Sequence, residues 1–142
     1  MRLITLLIIT FLLAACSVAG ASTGKLSIND AWARPAPQAV NSAFFMTIAN
    51  DSAETVTLTA VDTTACGRTE LHISTMTDGV MSMRPMSDGI EIPAGEAVAL
   101  EPGGLHVMCL DKPNALITGE EHRLTLHFDG ADSVEISAEI KE

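Results

Sequence analysis

Residues 42–50 read SAFFMTIAN, and their apolar period is two. On an extended strand Phe44, Met46 and Ile48 fall on one face and the residues between them on the other. A helix would scatter those three around its axis. The alternation recurs downstream. Val56, Leu58 and Ala60 share a face in TVTLTAV (residues 55–61), with threonines opposite. Leu124, Leu126 and Phe128 do so in HRLTLHF, and Val134, Ile136 and Ala138 in DSVEISAEI. Turn-forming clusters separate these runs: NDSAE, TDG, SDG, IPAGE, EPGG, DKPN and DGAD. No stretch of twelve or more residues carries a helical stripe, and there is no internal repeat. Short strands at regular intervals with Gly, Pro and Asp turns predict an all-β fold, an antiparallel sandwich or small barrel.

The chain opens MRLITLLIITFLLAAC, one arginine followed by an apolar run and small residues that end at Cys16. This is the pattern of an export signal, too short to span a bilayer as a finished helix. Leu13 to Cys16, LAAC, resembles a bacterial lipobox, in which the cysteine is lipidated and becomes the first mature residue. The expected organisation is a lipoprotein-type signal peptide over 1–15, a flexible tether over 16–24 and one domain over 25–142. Such a protein is tethered to a membrane through lipid rather than spanning it. Ordinary cleavage after AGA (residues 19–21) is the competing reading, and it releases a soluble protein. Both readings export the chain.

Without residues 1–15 the chain keeps 127 residues, enough for one domain with a core. It then carries 7 basic and 18 acidic residues, a net charge of −11. That balance argues against nucleic acid and against adsorption to anionic lipid. Cys66 and Cys109 remain as a possible disulfide in an oxidising compartment, if their separation in space permits the bond.

Four of the six non-initiator methionines lie in MTDGVMSMRPM: Met76, Met81, Met83 and Met86. Methionine is an ordinary core filler, and Met46 needs no other reading. Four thioethers straddling a hairpin at Asp78-Gly79 are harder to bury. Two histidines stand near methionines. His72 lies between Leu71 and Ile73 and faces away from the apolar side. In EPGGLHVMC, His106 and Met108 share one strand face, while Leu105, Val107 and Cys109 share the other. His122 and His127 fall on a solvent side.

The chemistry of the donors selects the ion. A neutral, polarizable thioether suits Cu(I) and binds Zn²⁺, Mg²⁺ or Ca²⁺ poorly, whereas imidazole serves either oxidation state of copper. Two His and two Met make a neutral set that disulfide formation cannot remove. A blue-copper site needs a thiolate with two histidines, and Cys109 points to the wrong face. No nucleophile–base pair or phosphate loop marks an enzyme.

NDAWARPAPQAVNSAFFMTIAND, RTELHISTMTDGVMSMRPM, IEIPAGEAVALEPGGLHVM and LITGEEHRLTLHF together resemble the periplasmic copper chaperone family called PCu(A)C, over residues 26–139. The family pattern is His, ten residues, Met, about twenty-one residues, then His-x-Met. Here ten residues separate His72 from Met83, and twenty-two separate Met83 from His106, which opens the His-x-Met of His106 and Met108. The extra residue is expected in the turn RPMSDG. The resemblance implies a cupredoxin-like Greek-key β-sandwich that binds Cu(I) through His72, Met83, His106 and Met108 in the periplasm. It also implies delivery to a copper acceptor: a cytochrome c oxidase subunit, or a thioredoxin-like assembly factor. Met76, Met81 and Met86 are possible additional soft ligands, from their clustering alone. Two other readings compete: a copper-buffering or resistance protein with no specific client, and a protein-interaction sandwich whose methionines are hydrophobic contacts.

Overall fold

The computed structural model describes residues 26–142. The segments expected to be signal peptide and tether, with Cys16, lie outside the described residues. Ten strands follow one another: β1 (Leu26–Ala33), β2 (Ser42–Asn50), β3 (Val56–Asp62), β4 (Arg68–Thr77), β5 (Val80–Pro85), β6 (Ile90–Ile92), β7 (Ala97–Leu100), β8 (Leu105–Leu110), β9 (Glu121–Asp129) and β10 (Val134–Ile140). The described residues contain no helix. The all-β expectation holds.

The strands form one hydrogen-bonded path, β5-β4-β8-β2-β1-β10-β9-β3-β6, with β7 beside β2. All pairings are antiparallel except β1 with β10. Its two ends fold over a single core, to which Phe44, Leu71 and Val107 contribute from one half and Leu58, Leu124 and Leu126 from the other. Phe44, Met46 and Ile48 are buried as their spacing predicts. The alternation in β3 breaks, however. A bulge between Leu58 and Ala60 opposite β9 inserts one residue, so Val61 is buried and Ala60 is exposed. Period-two reasoning cannot foresee that slip.

Two local features place the metal-ligating candidates. The β4–β5 hairpin turns at Asp78 and Gly79, both with positive φ (52° and 78°), the signature of a type I′ turn. The second is EPGG. Both β7 and β8 run antiparallel to β2, β7 against residues 46–49 and β8 against 42–44. They are therefore one interrupted strand, and EPGG is a loop extruded from it rather than a hairpin turn. The loop is closed by Glu101 N–H donating to Leu105 O (2.8 Å) and Gly104 N–H to Glu101 O (3.0 Å). At the turn after β5, Gly89 has φ +85°, and a Cβ there would lie 2.6 Å from Leu58 O, so only glycine fits.

Cys66 and Cys109 are joined in a disulfide with Cα atoms 5.4 Å apart, closing 43 residues of sequence. The bond ties the loop before β4 to the inner face of β8. A loop of that length predicts about 4 kcal/mol of stabilisation.

Candidate metal centre

The register of the sheet dictates which side chains meet. His72 on β4 pairs with His106 on β8 and, on its other side, with Pro85 on β5. Phe45 follows on β2 and Trp32 on β1, since Trp32 pairs with Phe45 and Phe44 with Val107. A row of rings results across four strands: Trp32 to Phe45 is 4.7 Å between centroids, Phe45 to His106 is 6.4 Å, and His106 to His72 is 5.9 Å. The Arg34 guanidinium stands 5.7 Å over Phe45.

This row changes the reading of the face. Sequence parity sets His106 on the strand face opposite Leu105, Val107 and Cys109, yet it too is buried, only 4% exposed. The aromatic rings of β1 and β2 cover the second face of the sheet and make it a small apolar floor. His106 closes the floor of an open cavity of about 600 Å³, whose wall also includes Phe45, Ser74, Met81, Met83 and Met108. Residues 34–37 and 40–43 form another wall. That wall is pinned from behind. The buried ammonium of Lys112 donates to the carbonyls of Pro37 (2.7 Å), Gln38 (3.4 Å) and Val40, and Ser42 Oγ donates to Arg34 O (2.7 Å). Burial lowers the Lys112 pKa from its ordinary value.

Each imidazole is fixed by one hydrogen bond. His106 Nδ1 lies 3.0 Å from Gly104 O, the carbonyl that also accepts from Ser74 N–H (3.0 Å). The extruded EPGG loop thus orients the ring. His72 Nε2 lies 2.8 Å from Glu70 Oε2. Glu70 is in turn held by Arg68, whose Nε donates to Asp111 Oδ2 at 3.0 Å. The hydrogen bond from His72, then the charge of Arg68, hold the Glu70 carboxyl below its ordinary pKa. The other nitrogen of His72, Nδ1, is buried and has no hydrogen-bond partner. An orphaned buried nitrogen is uncommon and costs stability unless something binds it.

The methionines sort by register. Met108 is two residues along β8 from His106, and therefore diagonal to His72. Met83 pairs with Ser74, which makes it the diagonal neighbour of His72 on the other side. Diagonal neighbours on one face lie about 7–8 Å apart, within reach of long side chains. Met81 and its partner Met76 are a further step toward the hairpin tip, 57% and 61% exposed. Met81 lines the cavity and Met76 does not. Met86 leaves the group altogether: it packs against the core edge and lines a separate cavity with Thr59, Ala60 and Val61. His122 and His127, which the sequence places on a solvent side, sit half-buried on β9, in the other half of the sheet. The signal that sequence reasoning missed is Glu70. A carboxylate two residues before a candidate ligand lies on the same strand face, and that spacing was available in TELHIS.

Among the described residues no group of three or more His, Cys, Asp and Glu is placed to hold an ion. The donors on this side of the sheet are two imidazoles and thioethers beside an aromatic floor, a soft and neutral set.

An extended all-β sandwich with this His/Met group at one edge is a domain of the PCuAC type, which bears out the resemblance read from the sequence. The chain is similar to an apo PCuAC domain from PmoF1, with a TM-score of 0.69 and 27% identity, covering 83% of this chain and 94% of that one. It is also similar to the Cu(I) form of DR1885 from Deinococcus radiodurans in solution, with a TM-score of 0.66 and 25% identity, over 89% of this chain and 85% of that one. The chain belongs to the family described as "Putative lipoprotein LpqE-like", which matches residues 26–140. A relative from Leifsonia xyli subsp. xyli, "Putative lipoprotein Lxx21020", is 27% identical over 129 residues, 91% of this chain and 77% of that protein.

Proposed function

We propose that this protein is an exported copper carrier that holds one Cu(I) through His72, Met83, His106 and Met108. The observation that carries the reading is the His72–His106 pair. With a metal–nitrogen bond of about 2 Å, two imidazoles on one ion hold their ring centres roughly 5–6 Å apart. The centroids here are 5.9 Å apart, and the buried Nδ1 of His72 lacks any other partner. Met83 and Met108 are the two diagonal neighbours of His72, which supports them as the thioether ligands, whereas Met81 starts one step farther out. Similarity to the Cu(I) form of DR1885 supports the choice of ion.

Thioethers donate weakly, so the set releases its cargo readily, which suits carriage rather than catalysis. The copper leaves toward the hairpin tip, where Met81 and Met76 offer soft contacts on the way to an acceptor. The "lipoprotein" in the description of the family and the LAAC sequence at Cys16 support a lipid-anchored protein facing the periplasm. Its client is a copper-accepting protein, with the copper centre of cytochrome c oxidase the expected destination.

X-ray absorption of the Cu(I)-loaded protein tests the site: two sulfur and two nitrogen neighbours are expected, and an oxygen- or nitrogen-only shell contradicts it. Deleting the gene tests the destination. Lost oxidase activity at low copper supports delivery, whereas copper sensitivity with intact oxidase supports buffering instead.

A further inference from the structure

We propose that Glu70 is a positioning residue that fixes His72 and His106 in opposite tautomeric roles, so that the ion meets Nδ1 of His72 but Nε2 of His106. The inference deepens the copper reading and rests on it.

The hydrogen-bond partners force the assignment. A backbone carbonyl can only accept, so the 3.0 Å contact between His106 Nδ1 and Gly104 O requires the proton on Nδ1. The lone pair of His106 is then on Nε2, which has no hydrogen bond among the described residues. An ionised carboxylate likewise only accepts, so the 2.8 Å contact between His72 Nε2 and Glu70 Oε2 requires the proton on Nε2. The lone pair of His72 is then on Nδ1, the buried nitrogen without a partner. The two orientations are complementary. The rings are cross-strand partners with centroids 5.9 Å apart, and they meet at 62°, nearly edge to face.

Two devices of different strength do this work. The carbonyl on His106 belongs to the backbone of the extruded EPGG loop and is shared with Ser74 N–H, so no side-chain substitution removes it. The carboxylate on His72 is a side chain on the sheet surface, kept in place by Arg68 and through it by Asp111. Glu70 also pairs in register with Met108, so its negative charge stands beside two of the four ligands and favours a cation there. Ligand tautomer and orientation set by an outer carboxylate alter metal affinity by roughly 10–100-fold.

Long-range ¹H–¹⁵N correlation spectra of the histidine rings test this directly on the ¹⁵N-labelled protein. Without metal, the spectrum should report Nε2–H for His72 and Nδ1–H for His106. One equivalent of Cu(I), added anaerobically, should shift Nδ1 of His72 and Nε2 of His106. Glu70→Ala should leave His72 as a mixture of tautomers, keep His106 unchanged and weaken Cu(I) binding about 10–100-fold. Glu70→Gln, which preserves shape, should also mix the His72 tautomers, because an amide both donates and accepts. A metal-free His72 already in the Nδ1–H form overturns the proposal, and so does a Cu(I)-induced shift at its Nε2. Unchanged tautomer and affinity in both Glu70 variants overturn the part assigned to Glu70. If neither ring responds to Cu(I), the copper reading itself fails. The metal-free tautomers, read beforehand from the same sample, distinguish that result from a wrong assignment.

Discussion

The protein carries two pairs of strand histidines, and comparing them shows what makes a histidine a candidate ligand. His127 on β9 is satisfied at both nitrogens, with Asp62 Oδ2 2.8 Å from Nε2 and Ser133 Oγ 3.0 Å from Nδ1. Its side chain is 38% exposed. His122 is likewise at the surface and faces Glu120. His72 and His106 also have one acceptor each, but they are cross-strand partners in a row of aromatic rings, and the remaining nitrogen of His72 is sealed from water without a partner. All four are strand histidines, but His72 and His106 are cross-strand partners, whereas His122 and His127 lie five residues apart on β9. The difference lies in what the neighbouring strands supply: Phe45 and Trp32 in one half of the sheet, solvent in the other.

The largest effects should come from removing a member of the first pair. His106→Ala should weaken Cu(I) binding by more than the roughly 10–100-fold expected for an outer partner, while His127→Ala leaves it unchanged. Competition with a Cu(I) chelator measures both, and equal responses would erase the distinction between the pairs. The inner face of β8 offers the opposite test. Replacing Cys66 and Cys109 by Ala should cost about 4 kcal/mol in urea unfolding yet leave one Cu(I) bound, because the disulfide faces away from Met108.

Smaller effects discriminate among the methionines. Met→Leu preserves volume and costs under about 1.5 kcal/mol of stability. Met108→Leu and Met83→Leu should both lower affinity for Cu(I). Met81→Leu should slow transfer to an acceptor more than it lowers affinity, and the reverse order would place the thioether ligand nearer the hairpin tip. Smallest is Lys112→Met, which loses the hydrogen bonds pinning residues 37–40. It should cost about 1–3 kcal/mol by thermal unfolding and change copper affinity little.

Much of this was legible in the chain. Period two in SAFFMTIAN and HRLTLHF gave the strands, Asp78-Gly79 gave the hairpin, and HVM put His106 and Met108 on one face because side-chain direction depends only on sequence parity. What parity cannot supply is pairing between distant strands. The burial of His106 depends on Phe45 and Trp32, more than sixty residues away along the chain. EPGG looked like a turn between two strands because Gly and Pro signal a reversal and an extruded loop equally. The β3 bulge that exposes Ala60 is a register event between β3 and β9 with no local signature. Met86 shared the methionine cluster in sequence, but the turn at Met86–Gly89 carries it to the core edge instead.

The most direct test of the central claim is a competition titration of the purified protein with Cu(I) against a chromogenic chelator, run in parallel on wild type and Met108→Ala. One tight equivalent that weakens markedly in the variant is the predicted result, and it makes His106 and Met108 a ligand pair. No tight equivalent, or one indifferent to Met108, would contradict the account and return the exposed methionines to the role of protein contacts.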